Sequence, residues 1–146
     1  MIGMARVLLA FGGAWAAVLA LATAATAQID PDDTGAGTKL GLASLNNSGQ
    51  VGTVTLFSDG ARATLLVLRI ESEPPRQTEA ARVRRGRTCG TLDTRAVYPL
   101  APVVDGVSRT VVDAPEAKLL SGNYVVSVHA SLRRAARVVS CGELHS

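Results

Sequence analysis

Two stretches of this 146-residue chain carry the residues that could do chemistry. The first is Arg82-Val83-Arg84-Arg85-Gly86-Arg87, followed by Cys89; the second runs from Gly122 to Gly142, GNYVVSVHASLRRAARVVSCG, and holds His129 and Cys141. A guanidinium is a permanent cation with donors in a planar fork, so clustered arginines attract and clamp anions. An imidazole can ligate a metal or carry a proton near neutral pH. The two cysteines have three readings. A disulfide is the usual state in an exported chain, and closing the loop between Cys89 and Cys141 would stabilise by about 4 kcal/mol in the chain-entropy model. Two free thiols are the second reading. A metal pair is the third, and neither Cys has another ligand at useful spacing to support it. No Ser-His-Asp or Cys-His arrangement, Gly-rich phosphate loop, zinc-finger spacing or paired-carboxylate motif is legible.

These residues are carried by short strands. Residues 1–27 read as a secretory signal: Arg6, an apolar run from Val7 to Ala22, then Ala25-Thr26-Ala27 as a small-residue cleavage site before Gln28. An uncleaved membrane anchor is the rival, since the apolar stretch is nearly long enough to span a bilayer. The acidic Asp30-Pro31-Asp32-Asp33 beyond the site favours cleavage, which leaves no transmembrane span and a secreted or periplasmic protein. No Cys stands at the boundary to take a lipid. Removing the signal leaves 119 residues, with 14 Lys+Arg against 12 Asp+Glu, a net charge of +2. That balance selects no partner by itself. The basic residues are Arg apart from Lys39 and Lys118, a bias that Arg-rich codon usage also explains.

Residues 28–38 read as a flexible lead-in and 39–146 as one domain. Leu40 to Leu45 is a first strand, ended by the turn-forming Asn46-Asn47-Ser48-Gly49. Val51 to Phe57 alternates with Val54 and Leu56 inward, and Asp59-Gly60 predicts a two-residue hairpin turn with both positions at positive φ. Arg62 to Ile70 is apolar on both faces, so its register is open. Ala80 to Arg85 puts Val83 inward and Arg82 and Arg84 together on the other face. Val97 to Leu100 follows, then an Asp105-Gly106 turn and Val107 to Val112. Pro115 to Leu120 predicts one or two helical turns closed by Gly122. Next comes strict alternation: Tyr124, Val126 and Val128 one way, Val125, Ser127 and His129 the other. A basic connection with Arg133, Arg134 and Arg137 leads to a last strand ending at Cys141, with His145 in a disordered tail. Short strands separated by turns, with almost no helical periodicity, make an all-β antiparallel sandwich or barrel of about seven to eight strands.

Val128-His129-Ala130 followed by Val138-Val139-Ser140-Cys141-Gly142 resembles the copper/zinc superoxide dismutase family. Leu119-Leu120-Ser121-Gly122-Asn123-Tyr124, with Tyr98-Pro99-Leu100, is similar to its small bacterial exported relatives. The resemblance spans Leu40 to Leu144 and is concentrated in the second half. It implies a Greek-key β-sandwich or barrel, a Cys89–Cys141 disulfide, and His129 at the position of a late copper ligand. The family takes two more copper ligands from a His-x-His strand, and here that place holds Arg82-Val83-Arg84. Arginine has no lone pair to give a metal. The segment from Cys89 to Tyr98 contains no His and is short for the family's zinc loop. Arg137 precedes Cys141 by four residues where the family's substrate-guiding Arg precedes by three, so that role is not transferred.

The expectation is therefore an exported pseudoenzyme with no catalytic residue and no cofactor, with His129 a vestigial metal position. The alternation makes it an ordinary exposed strand histidine. The alternative is a copper/zinc superoxide dismutase-like metalloenzyme with an atypical site. Arg82, Arg84, Arg85 and Arg87 form an anion-binding candidate for a small anion, an acidic polymer or lipid headgroups, or for an envelope protein partner. The opposing reading is a solvated basic loop paired with local carboxylates, Glu79 and Asp93. No aromatics interleave with the arginines, which argues against nucleic acid.

Overall fold

The computed structural model describes residues 37–90, 95–133 and 136–145. The signal and most of the lead-in lie outside them. The described residues form nine strands and one helical turn, in the order β1 (Thr38–Ser44), β2 (Val51–Asp59), β3 (Ala63–Glu71), β4 (Thr78–Arg85), β5 (Ala96–Pro99), β6 (Val103–Val104), β7 (Val107–Val112), α1 (Glu116–Leu119), β8 (Ser121–His129) and β9 (Val138–His145). All pairings are antiparallel. The order β4-β6-β7-β3-β2-β1-β9-β8 closes on itself through β8 and β4, giving an eight-stranded barrel with β5 as one extra strand on β4.

The register follows from which side chains must leave water. Val54 and Leu56 of β2 stand opposite Leu68 and Leu66 of β3, and all four are buried in the barrel. This settles the two-sided apolar strand: Leu66, Leu68 and Ile70 point inward, while Leu65 and Val67 point out. Ala81 and Val83 of β4 face Val128 and Val126 of β8 in the same way, and Tyr124 joins them in the core. The interior is almost wholly aliphatic, with Leu42, Val103, Val112, Leu119 and Leu144 filling it.

Turn chemistry is right in one place and wrong in another. Asp105 and Gly106 both have positive φ, as a two-residue hairpin turn requires. At the β2–β3 hairpin Asp59 instead stays in the strand opposite Ala63, and only Gly60 of Gly60-Ala61-Arg62 has positive φ. Gly122 does not close the helix; it lies inside β8, where the pairing to β9 shifts between Ser121 and Val125. The last strand does not stop at Cys141 but continues to His145, which pairs with Ser121 and sits 3.6 Å from Glu143. The pairing of β8 and β9 extends ordered backbone to that residue. Gly142 is needed for packing, because a Cβ there would meet the Gly41 carbonyl oxygen at 2.5 Å and Leu42 at 2.5 Å.

Cys89 and Cys141 are disulfide-bonded, with Cα atoms 6.0 Å apart and a sequence separation of 52. Cys141 faces away from the barrel interior, in a row that runs Arg82, Ser127, Cys141, Ala43 across β4, β8, β9 and β1. The bond therefore draws the segment after β4 back over the outer face of its own sheet. Cys141→Ser should lower unfolding free energy by ~2–5 kcal/mol, measured by denaturant titration. Reduction of the wild type should give a similar loss, and an unchanged midpoint would show that the bond is not structural.

Candidate functional site

Alternation and pairing bring Arg82, Arg84 and His129 onto one face. Arg82 stands opposite Ser127, Arg84 opposite Val125, and Ala80 opposite His129. That face points out of the barrel but is not exposed. Val125, Ser127 and Cys141 are buried there, and His129 is only 3% exposed. The expected exposed strand histidine is corrected accordingly. The β8–β9 connection lies against it through Ala136, and the Ala130 N–H donates to the Arg137 carbonyl at 3.0 Å within that connection.

Both ring nitrogens of His129 are engaged. Nδ1 lies 3.1 Å from the Ala136 carbonyl oxygen, which can only accept, so Nδ1 carries the hydrogen. Nε2 is then the acceptor, 3.0 Å from the Ser127 hydroxyl, which donates to it. Burial pushes the pKa of this imidazole below its ordinary value, and the charges of Arg82 and Arg84 push it further down; the Ala136 carbonyl opposes both. His129 is a neutral side chain that fastens the β8–β9 connection to the sheet. Arg137 fastens the same connection from outside, donating from Nη1 to the Asn46 carbonyl at 3.2 Å.

The residues present do not fit a copper centre. The face offers one imidazole, already hydrogen-bonded at both nitrogens, and two guanidinium groups that lack a lone pair and repel a cation. Among the described residues no three of His, Cys, Asp and Glu come together to hold a metal.

The four arginines of the basic run divide into two sets. Arg82 and Arg84 share the outer face with His129, whereas Arg85 stands opposite Tyr124 and follows the inward parity of Val83. Arg85 and Arg87 instead line a shallow cavity of about 300 Å³ with Gly86, Ser121, Asn123 and Tyr124. The Gly86 N–H donates to the Asn123 carbonyl at 3.1 Å, which ties the two walls together. Lys118 is close enough to act electrostatically on Arg85, and a hydrogen bond with Tyr98 raises the Lys118 pKa. Tyr98 and Tyr124 stand beside it with ring centres 6.4 Å apart. The lining of this cavity contains no carboxylate.

Sequence reasoning placed Glu79 as a counter-charge to the arginines, and this is corrected. Glu79 is 0% exposed and points into the barrel beside Gln50, so it neutralises nothing on the outer face. Its parity with Ala81 and Val83 was the available signal. Asp93, the other expected counter-charge, lies outside the described residues. Lys118 and Gln50 carried no motif and were passed over.

The neutral state of His129 has a measurable consequence. A histidine whose pKa is lower in the fold than in the unfolded chain contributes its full stability above the unfolded value of about 6.5. That contribution is lost as pH falls through the folded value, because a third positive charge must then be buried beside Arg82 and Arg84. Ring nitrogen shifts in NMR should show the Nδ1–H tautomer persisting from pH 8 to below 6.5. A His129 ring that titrates at or above 6.5 would contradict the buried neutral arrangement. No family model, curated protein or solved structure matches this chain.

Proposed function

We propose that this protein is a non-catalytic, exported binding module with a superoxide dismutase-like Greek-key barrel, and that it captures anions in the Arg85–Arg87 cavity. The observation that carries this reading is the cavity itself: Arg85 and Arg87 both line it, a third cation, Lys118, stands near Arg85, and its lining has no carboxylate. Ser121 and Asn123 add neutral polar groups to the wall. Planar guanidinium forks match the oxygens of phosphate, sulfate and carboxylate, so the ligand is a small oxyanion or the acidic groups of a polymer.

Several features support the barrel's relationship. Strands β3 and β4 follow each other in sequence but are separated in the barrel by β7 and β6, a Greek-key-like crossover. The disulfide joins the segment after β4 to the last strand, as in the family the sequence resembles. Arg82 and Arg84 take the places of that family's His-x-His ligands, which supports a non-catalytic role. The disulfide is compatible with an oxidising compartment, and no helix among the described residues is long and apolar enough to cross a membrane.

Charge-assisted hydrogen bonds contribute roughly 1.5–3 kcal/mol each, so removing two should be plain in a titration. Calorimetry with inorganic phosphate, sulfate and a sulfated polysaccharide should detect binding that weakens with salt. The double variant Arg85→Ala/Arg87→Ala should lose about tenfold or more in affinity. Equal binding by wild type and variant would refute the assignment of the cavity.

A second titration addresses the outer face. Arg82→His/Arg84→His places two imidazoles on the face that already carries His129 and removes the repelling charge. Copper affinity should rise above the wild-type baseline. Tight stoichiometric copper in the wild type would overturn the non-catalytic reading.

A further inference from the structure

A different feature lies near the other end of β4, six residues before Arg85 and roughly 20 Å away at the rise of an extended strand. Glu79 points into the barrel, fully buried, and its Oε1 accepts a hydrogen bond from Gln50 Nε2 at 2.8 Å. Gln50 is itself 3% exposed. Glu73, on the β3–β4 connection, accepts the backbone N–H of Gly106 through Oε2, and its charge reaches Glu79. Three buried oxygens in this cluster have no donor among the described residues: Gln50 Oε1, Glu73 Oε1 and Glu79 Oε2. Every other buried side-chain oxygen of the described residues finds a partner. Buried acceptors left unpaired are costly, so a group that supplies positive charge or a donor belongs between them.

One proton does not complete the set. On Glu79 Oε2 it would satisfy that oxygen and do nothing for Glu73 Oε1. A cation can take all three oxygens and neutralise both carboxylates. The donors are oxygen only, which suits a hard ion and excludes the softer metals that favour sulfur or imidazole. Beside the cluster lies a cavity of about 250 Å³, lined by Glu73, Ser72, Asp105 and Arg76 among others, and open to solvent. It reaches the cluster at Glu73 and leaves room there for coordinating water, with Asp105 adding negative charge and Arg76 opposing it. We propose that Gln50, Glu73 and Glu79 form a hard-cation site of calcium type at this end of the barrel. This site is independent of the anion cavity and does not rest on the reading given for it.

Calorimetry and thermal melting of the metal-stripped full chain with calcium chloride test the proposal. The wild type should bind one ion per chain with an affinity in the millimolar range or tighter, and its melting temperature should rise with calcium. Glu79→Gln keeps the side-chain shape and mimics a protonated carboxyl; it should weaken calcium binding about tenfold or more. Glu73→Gln, on a half-exposed connection where the fold tolerates it, should do the same and covers the case in which Glu79→Gln fails to fold. Equal calcium responses in wild type and variants would place the ion elsewhere and overturn the site. A wild type indifferent to calcium but stabilised by acidification would show that Glu79 holds a proton instead, which also overturns it.

Discussion

The bond between Cys89 and Cys141 ties the segment after β4 to a face of the sheet that points out of the barrel. A closed barrel has one inside, and residues pointing the other way normally meet water. Here the cross-link anchors the segment after β4 to the outer face of β9, and on that face Val125, Ser127 and Cys141 are buried although they point outward. The sheet is thus covered on both sides along β8. That strand consequently reads as apolar or neutral at nearly every position from Tyr124 to His129.

His129 and its arginine neighbours follow from that covering. A charged imidazole would be disfavoured under the β8–β9 connection, and it would stand beside two permanent cations. The side chain resolves this by remaining neutral and using both nitrogens locally, one toward Ala136 and one toward Ser127. A residue type associated with metals and proton transfer serves here as a fastener for the chain that passes over it. The arginines across the sheet bear on the same balance, since their charges also lower the imidazole pKa.

Strand β4 carries opposite chemistry to its two ends. Near its start Glu79 points into the barrel among acceptor oxygens, and at its end Arg85 reaches a cavity without carboxylates. Both side chains lie on the parity of Val83, so one face of one strand places an acid at one end of the barrel and a base at the other. Their separation keeps them from pairing. A shorter strand would have allowed the two charges to neutralise each other.

Much of the architecture was legible in the residue order. Period-two alternation assigned β2, β4 and β8 their inward residues, and Asp105-Gly106 specified its turn, because strand geometry and positive φ act over a few neighbouring residues. The presence of Arg82, Arg84 and His129 on a common parity was legible for the same reason. What alternation could not supply was the environment of each face. It placed His129 outward, but only the folded structure shows that this outward face is buried around Val125, Ser127, His129 and Cys141. It counted Glu79 against the arginines because they are close in sequence, yet Glu79 lies on the opposite side of the sheet from Arg82 and Arg84 and six residues along the strand from Arg85. The two-sided apolar strand β3 had no register until β2 and β7 stood beside it. Gln50 had no visible role until β2 was packed against β4's end of the barrel, 29 residues away in sequence from Glu79. Local backbone geometry is encoded in neighbours and could be read from the chain; burial and electrostatic partnership depend on what the closed barrel brings together, and only the tertiary structure decided them.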